Sequence, residues 1–131
     1  MDKKVFLIED ERLMYEMYQL ILENEGFEVR IAKDGVEGLE ALKNTNYLPD
    51  LILLDIMMPK LNGLEVLKQI KSDSRTKGIP VIILTNLSGE KHEQTAFANG
   101  AVRYLVKSRY EPQQIVKIMN QVINESRPQK N

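Results

Sequence analysis

Cysteine is absent from the 131 residues, histidine occurs once, and the 18 basic side chains do not outnumber the 19 acidic ones. Each shortage closes a class of function. Without cysteine there is no zinc ribbon, no thiol nucleophile and no disulfide-stapled secreted scaffold, which favours a reducing compartment, so a cytoplasmic location is expected. The single histidine, in Lys91-His92-Glu93, lacks the second histidine of a helical zinc motif and reads as a solvent-facing helical residue. A net charge of −1 offers no basic excess for phosphate neutralisation, so no direct nucleic-acid partner is expected. Long hydrophobic runs are missing too. Met1-Asp2-Lys3-Lys4 is followed by only four apolar residues before Glu9, too short for a signal-peptide core, and nothing approaches a membrane span. At this length one conventional core can hold the chain, because folding hides roughly two-thirds of its surface, and a second domain has no room.

What is present is a set of short apolar runs. Val5-Phe6-Leu7-Ile8, Leu51-Ile52-Leu53-Leu54 and Val81-Ile82-Ile83-Leu84 are unbroken, as strands buried on both faces require. Phe27-Glu28-Val29-Arg30-Ile31 alternates, which suits a strand nearer an edge. Tyr104-Leu105-Val106 is a shorter fifth candidate.

Helical spacing fills the intervals. Met14, Met17, Tyr18 and Ile21 give the first helix an apolar stripe that stops at Gly26. Asp34 precedes Glu37 by three residues and Asn62 precedes Glu65 by three, the spacing of helix N-caps. Asn62-Gly63 could turn a hairpin, but Leu64, Leu67 and Ile70 continue with helical spacing. Ser88 is placed to cap a helix ending near Asn99-Gly100, and Pro112 to open the last one, whose stripe is Ile115, Ile118, Met119 and Val122. Strand then helix, five times, predicts an α/β fold with helices on both faces of a five-stranded parallel sheet. The division expected is a domain over 1–124 and a tail or linker start over 125–131, where apolar residues give out.

Ligand sites of open parallel sheets lie beyond the carboxyl ends of the strands. Glu9, Asp10 and Glu11 follow the first run, Asp55 the third, Thr85 the fourth and Lys107 the fifth. Any one of these is ordinary, since acids favour first helical turns; Glu11 is read as a solvated charge and Asp10 could equally be an N-cap. The combination at four strand ends points to a site. Gathered carboxylates raise one another's pKa unless a cation compensates, and a hard divalent ion such as magnesium suits two carboxylates and one backbone carbonyl. Lys107 and Thr85 are groups that would hold a phosphoryl oxygen, and a carboxylate there could act as the nucleophile.

Val5 to Glu11 (VFLIEDE), Pro49 to Gly63 (PDLILLDIMMPKLNG), Pro80 to Thr85 (PVIILT) and Gly100 to Lys107 (GAVRYLVK) resemble the signature segments of bacterial response-regulator receiver domains, over roughly residues 3 to 124. The resemblance implies a flavodoxin-like doubly wound three-layer sandwich with strand order 2-1-3-4-5. It implies Asp55 as the acceptor of a phosphoryl group from the phosphohistidine of a sensor histidine kinase or histidine phosphotransfer protein. Asp10 is then a direct magnesium ligand, Glu9 acts through water, and the Met57 carbonyl is the third protein ligand, with manganese able to substitute. Thr85 and Lys107 match the switch hydroxyl and the phosphoryl-binding lysine, and Tyr104 the aromatic that changes rotamer. Signalling would run through the surface of the fourth helix, fifth strand and fifth helix to an effector outside these residues, from a monomer or a weak phosphorylation-dependent dimer. A separate enzymatic substrate is not expected.

Three positions depart from the family pattern. Ser108 stands where a proline is usual, which argues against a cis peptide after Lys107. Asn86 is larger than the usual residue and narrows access to the phosphoryl group, while Met57 and Leu87 are expected to flank it with apolar cover. Arg103 replaces an acid, so the likeness does not extend to the dimer of the winged-helix regulators. A flavodoxin-type electron carrier shares the topology, yet Glu9-Asp10-Glu11 would repel an unaccompanied phosphate. An aspartyl phosphatase or mutase wants an acid at the position of Met57. A phosphorylation-independent interaction module, and the excised N-terminal receiver of a longer DNA-binding or enzymatic regulator, are the remaining alternatives.

Overall fold

The computed structural model describes residues 3–44 and 46–127. Five strands, β1 (Lys3–Ile8), β2 (Phe27–Ala32), β3 (Leu51–Leu54), β4 (Val81–Thr85) and β5 (Arg103–Val106), form one sheet in the order β2-β1-β3-β4-β5. All four pairings are parallel. The helices between and after them are α1 (Arg12–Asn24), α2 (Gly35–Leu42), α3 (Gly63–Ser72), α4 (Glu90–Ala98) and α5 (Pro112–Ser126), with a 3-10 turn at Lys107–Arg109. This is the flavodoxin-like sandwich with strand order 2-1-3-4-5.

The unbroken apolar runs follow from this layering. In β1, Val5 and Leu7 pack with α1 and α5 residues Tyr18, Leu22, Ile115 and Met119. Phe6 and Ile8 point the other way, into the layer of Leu42, Val66, Leu67, Ile70 and Ala96 from α2, α3 and α4. A strand with helices on both sides has no wet face, so its period of two vanishes from the sequence. β2 is an edge strand, and its Glu28 and Arg30 remain exposed.

Some local readings shift. α1 is turned so that Tyr18 and Leu22 are buried while Leu13, Met17 and Leu20 face outward, Met17 being 38% exposed. Ser88 does not cap α4: Gly89, with φ 131°, takes that place without a side-chain bond. On α5, Ile123 is buried with Ile115, Met119 and Val122, and Ile118 is half-buried. The helix runs to Ser126, into the segment read as tail, and residues 128–131 lie outside those described. No cis peptide occurs among the described residues, and Ser108 sits inside the 3-10 turn. Gly26 and Gly100 end α1 and α4 with φ of 92° and 104°, where a β-carbon would strain the backbone.

The amino end of the sheet is closed by Asp50. Its N–H donates to Lys4 O at 2.7 Å, its Oδ2 accepts from the Lys4 N–H at 2.7 Å, and its Oδ1 lies 3.7 Å from Arg127 Nη2. Beside it, Lys3 Nζ donates to Asn120 Oδ1 at 2.8 Å.

Candidate phosphoacceptor site

Ladder-type hydrogen bonds carry the first and third strands one residue past their ends. The Glu9 N–H donates to Ala32 O at 3.0 Å and the Asp55 N–H to Ile8 O at 3.1 Å, which holds both acids at one rim. Glu9 and Asp55 are buried, with 1% and 6% exposure, whereas Asp10 is exposed. One carboxylate oxygen from each of the three lies within 4.8 Å of the others. Like charges that close in a partly dry place need a counter-charge.

Lys107 supplies part of it. The residue is 8% exposed, and its Nζ donates to Glu9 Oε1 in a close contact and to Asp55 Oδ2 at 3.3 Å. Burial alone would lower the lysine pKa, but the bond to Glu9 and the charges of Asp55 and Glu9 outweigh burial and raise it, so the ammonium is retained. Burial pushes the Glu9 carboxyl up, and the bonds from Lys107 and from the Glu11 N–H, at 3.1 Å to Oε2, offset only part of that. Asp55 Oδ1 accepts from the Met57 N–H at 3.0 Å. The two Asp55 oxygens therefore have different neighbours, a backbone amide on one and an ammonium on the other.

A cavity of about 300 Å³ opens over this carboxylate, lined by Asp10, Glu11, Asp55, Met57, Asn86 and Lys107. Met57, 56% exposed, sits at its mouth. Leu87 does not: it is half-buried against the core, and Asn86 lines the cavity instead. Glu11, read from sequence as a bland surface charge, lines the cavity and is the cap residue of α1, without a side-chain cap bond.

Thr85 and Tyr104 meet at Leu87 from two sides. The fully buried Thr85 Oγ1 accepts from the Leu87 N–H at 3.3 Å, and Tyr104 donates its hydroxyl to Leu87 O at 2.6 Å. Burial, with the charges of Glu93 and Asp55, raises the Tyr104 pKa and keeps that donor protonated. The structure thus brings together Glu9, Asp10, Asp55, Met57 and Lys107, and joins Thr85 to Tyr104 through the backbone of one residue, Leu87. His92 is exposed on α4, away from these groups. Arg103 pairs with Glu125 at 3.3 Å.

The response regulator receiver domain family matches residues 5–120. The chain belongs to that family. Among similar proteins, the response regulator ArlR of Staphylococcus saprophyticus is 39% identical over 104 residues, covering 79% of this chain and 45% of ArlR. The chemotaxis protein CheY4 of Vibrio cholerae superposes with a TM-score of 0.85 at 30% identity, over 93% of this chain and 99% of that one. The phosphorylated cyanobacterial phytochrome response regulator RcpA gives 0.81 at 33% identity, over 93% and 91%. The chain spans about half the length of the curated relatives it matches. This receiver domain is a two-component signalling module, and its cluster of Glu9, Asp10 and Asp55 fits a phosphoacceptor site. The cluster is compatible with a divalent metal. No helix among the described residues is long and apolar enough to cross a membrane.

Proposed function

We propose that Asp55 is the phosphoacceptor of this receiver domain, taking a phosphoryl group from the phosphohistidine of a sensor histidine kinase or histidine phosphotransfer protein. The observation that carries the reading is the Asp55 carboxylate itself, facing an open cavity with Lys107 on Oδ2 and a backbone amide on Oδ1. An Asp55 oxygen attacks phosphorus in line, the P–N bond breaks, and the imidazole leaves with its electron pair and is protonated from solvent. Lys107 neutralises charge on the phosphoryl oxygens, and Thr85 supplies a hydroxyl donor.

Three oxygen ligands within one small volume are a hard donor set suited to magnesium, with manganese able to substitute. Asp10, Asp55 and the Met57 carbonyl would hold the ion directly and Glu9 through water. The last assignment is supported by burial of Glu9 and by its engagement with Lys107 and the Glu11 amide. When bound, the ion neutralises phosphoryl charge. The protein assists this transfer and the slow loss of its own phosphate and turns over no separate substrate.

The new charge at Asp55 draws Thr85 toward it, and Tyr104, tied to the backbone of the same residue, Leu87, moves with it. The surface of α4, β5 and α5 then changes for a downstream effector, in the cytoplasm, from a receiver domain over 1–124 whose last helix, α5, continues to Ser126. It acts as a monomer or a weak phosphorylation-dependent dimer. A phosphorylation-independent module is not favoured, because Glu9, Asp10, Asp55 and Lys107 converge at one rim.

The test is incubation with acetyl phosphate and magnesium. Acid-labile phosphate is expected on the native protein and none on Asp55→Asn. Equal labelling of the two would overturn the assignment.

A further inference from the structure

We propose that Gly63 is a positioning residue for Asp55, a step that rests on reading Asp55 as the reactive, metal-holding carboxylate. Gly63 opens α3 directly after Asn62, whose Oδ1 accepts from the Glu65 N–H at 3.0 Å. Nothing in helix chemistry asks for glycine there, since it is among the poorest helix formers, and Gly63 is not among the residues of positive φ. The requirement is space. A β-carbon at Gly63 would lie 2.2 Å from Asp55 O, 2.6 Å from Ile56 Cα and 2.9 Å from Asp55 C. All three are backbone atoms, so no change of rotamer relieves the collision. The Gly63 N–H also donates to Ile56 O at 2.9 Å, which closes the segment 56–63 into a loop with its neck at the Asp55–Ile56 peptide.

That neck controls two groups of the site. Asp55 carries the carboxylate, and the Met57 amide two residues later holds its Oδ1. Displacing the Asp55 carbonyl to admit a methyl group therefore moves the carboxylate and the Met57 peptide together. Gly35 supports the same loop from α2: a β-carbon there would meet Leu61 O at 2.8 Å and Val66 Cγ2 at 2.6 Å. Gly100 is the contrast. It has φ 104° and meets the flexible stem of Lys71, so alanine there costs stability at the opposite end of the sheet without touching Asp55.

Magnesium affinity measured by calorimetry, beside urea unfolding, separates positioning from plain destabilisation. Gly63→Ala is expected to weaken magnesium binding on the order of tenfold, the loss usual for residues that orient metal ligands, and to shift the Met57 amide resonance. Gly100→Ala should unfold at lower urea yet bind magnesium as the native protein does. A folded Gly63→Ala protein with native affinity overturns the proposal. Should Gly63→Ala not fold, Gly35→Ala pushes the same loop through Leu61, and unchanged affinity in that variant overturns it equally. Native protein that binds no magnesium, or Asp55→Asn protein that binds as well as native, would instead sink the underlying reading of Asp55.

Discussion

Tyr47 is the residue whose environment contradicts its chemistry most plainly. Its ring meets Phe6 edge-on at 5.5 Å, and the Arg30 guanidinium lies 4.6 Å above it, so the aromatic body is well used. Its hydroxyl is buried with no hydrogen-bond partner among the described residues. Burial pushes its pKa up to about 12. A desolvated, unpaired hydroxyl costs free energy, whereas the same ring without it does not. Tyr47→Phe is therefore expected to leave urea stability unchanged or raise it by up to about 1 kcal/mol. A loss of that size would mean the hydroxyl is satisfied in solution. None of this was legible in the sequence, because Tyr47 sits in a connection with no periodicity and its neighbours come from β1 and β2.

At the scale of elements, the caps that could be read were those whose side chain does the capping. Asp34 Oδ1 accepts from the Glu37 N–H at 2.8 Å, as the three-residue spacing predicts, and Lys60 Nζ lies 3.5 Å from Oδ2. The Glu37 amide, then the charge of Lys60, holds the Asp34 carboxyl below its ordinary value of 3.8. A depressed folded-state pKa contributes stability that is present above 3.8 and lost as pH falls through the folded value. Asp34→Ala should thus cost about 1 kcal/mol at neutral pH, and the deficit should shrink in urea titrations taken progressively below pH 3.8. A deficit independent of pH would show that the carboxylate is not the cap. The start of α4 was misread because Gly89 places the turn one residue after Ser88 and no side chain marks it. The stripe read on α1 packs inward at Met14, Tyr18 and Ile21 and errs at Met17, because Leu13, Met17 and Leu20 offer a second apolar stripe that only contact with β1 and α5 decides against.

For the whole molecule, strand order was the step that turned scattered acids into a site. Residues after β1, β3, β4 and β5 share a rim because every strand runs the same way, and the apolar runs that locate those ends are the strongest signal in the chain. What stayed hidden were the pairings: that Glu9 turns to Lys107 rather than outward, that Leu87 packs against the core, and that Gly63 backs Asp55. Three carboxylates against one ammonium leave two charges uncompensated at that rim if all are ionised. Magnesium at a hundredfold excess over its Kd should therefore stabilise the fold by about 2.7 kcal/mol, read as a rise in Tm. Asp10→Asn should remove most of that rise and, by relieving repulsion, melt higher than native protein when metal is withheld. Equal Tm with and without magnesium would count against the site as drawn. The clasp at Asp50 has a practical consequence of its own. It holds Lys4 and Arg127 together at the amino end of the sheet, the end away from Asp55. A surface anchor, fluorophore or fused protein attached near either residue would stand clear of the reacting rim, and a short peptide joining the two would permit new termini to be opened elsewhere in the chain.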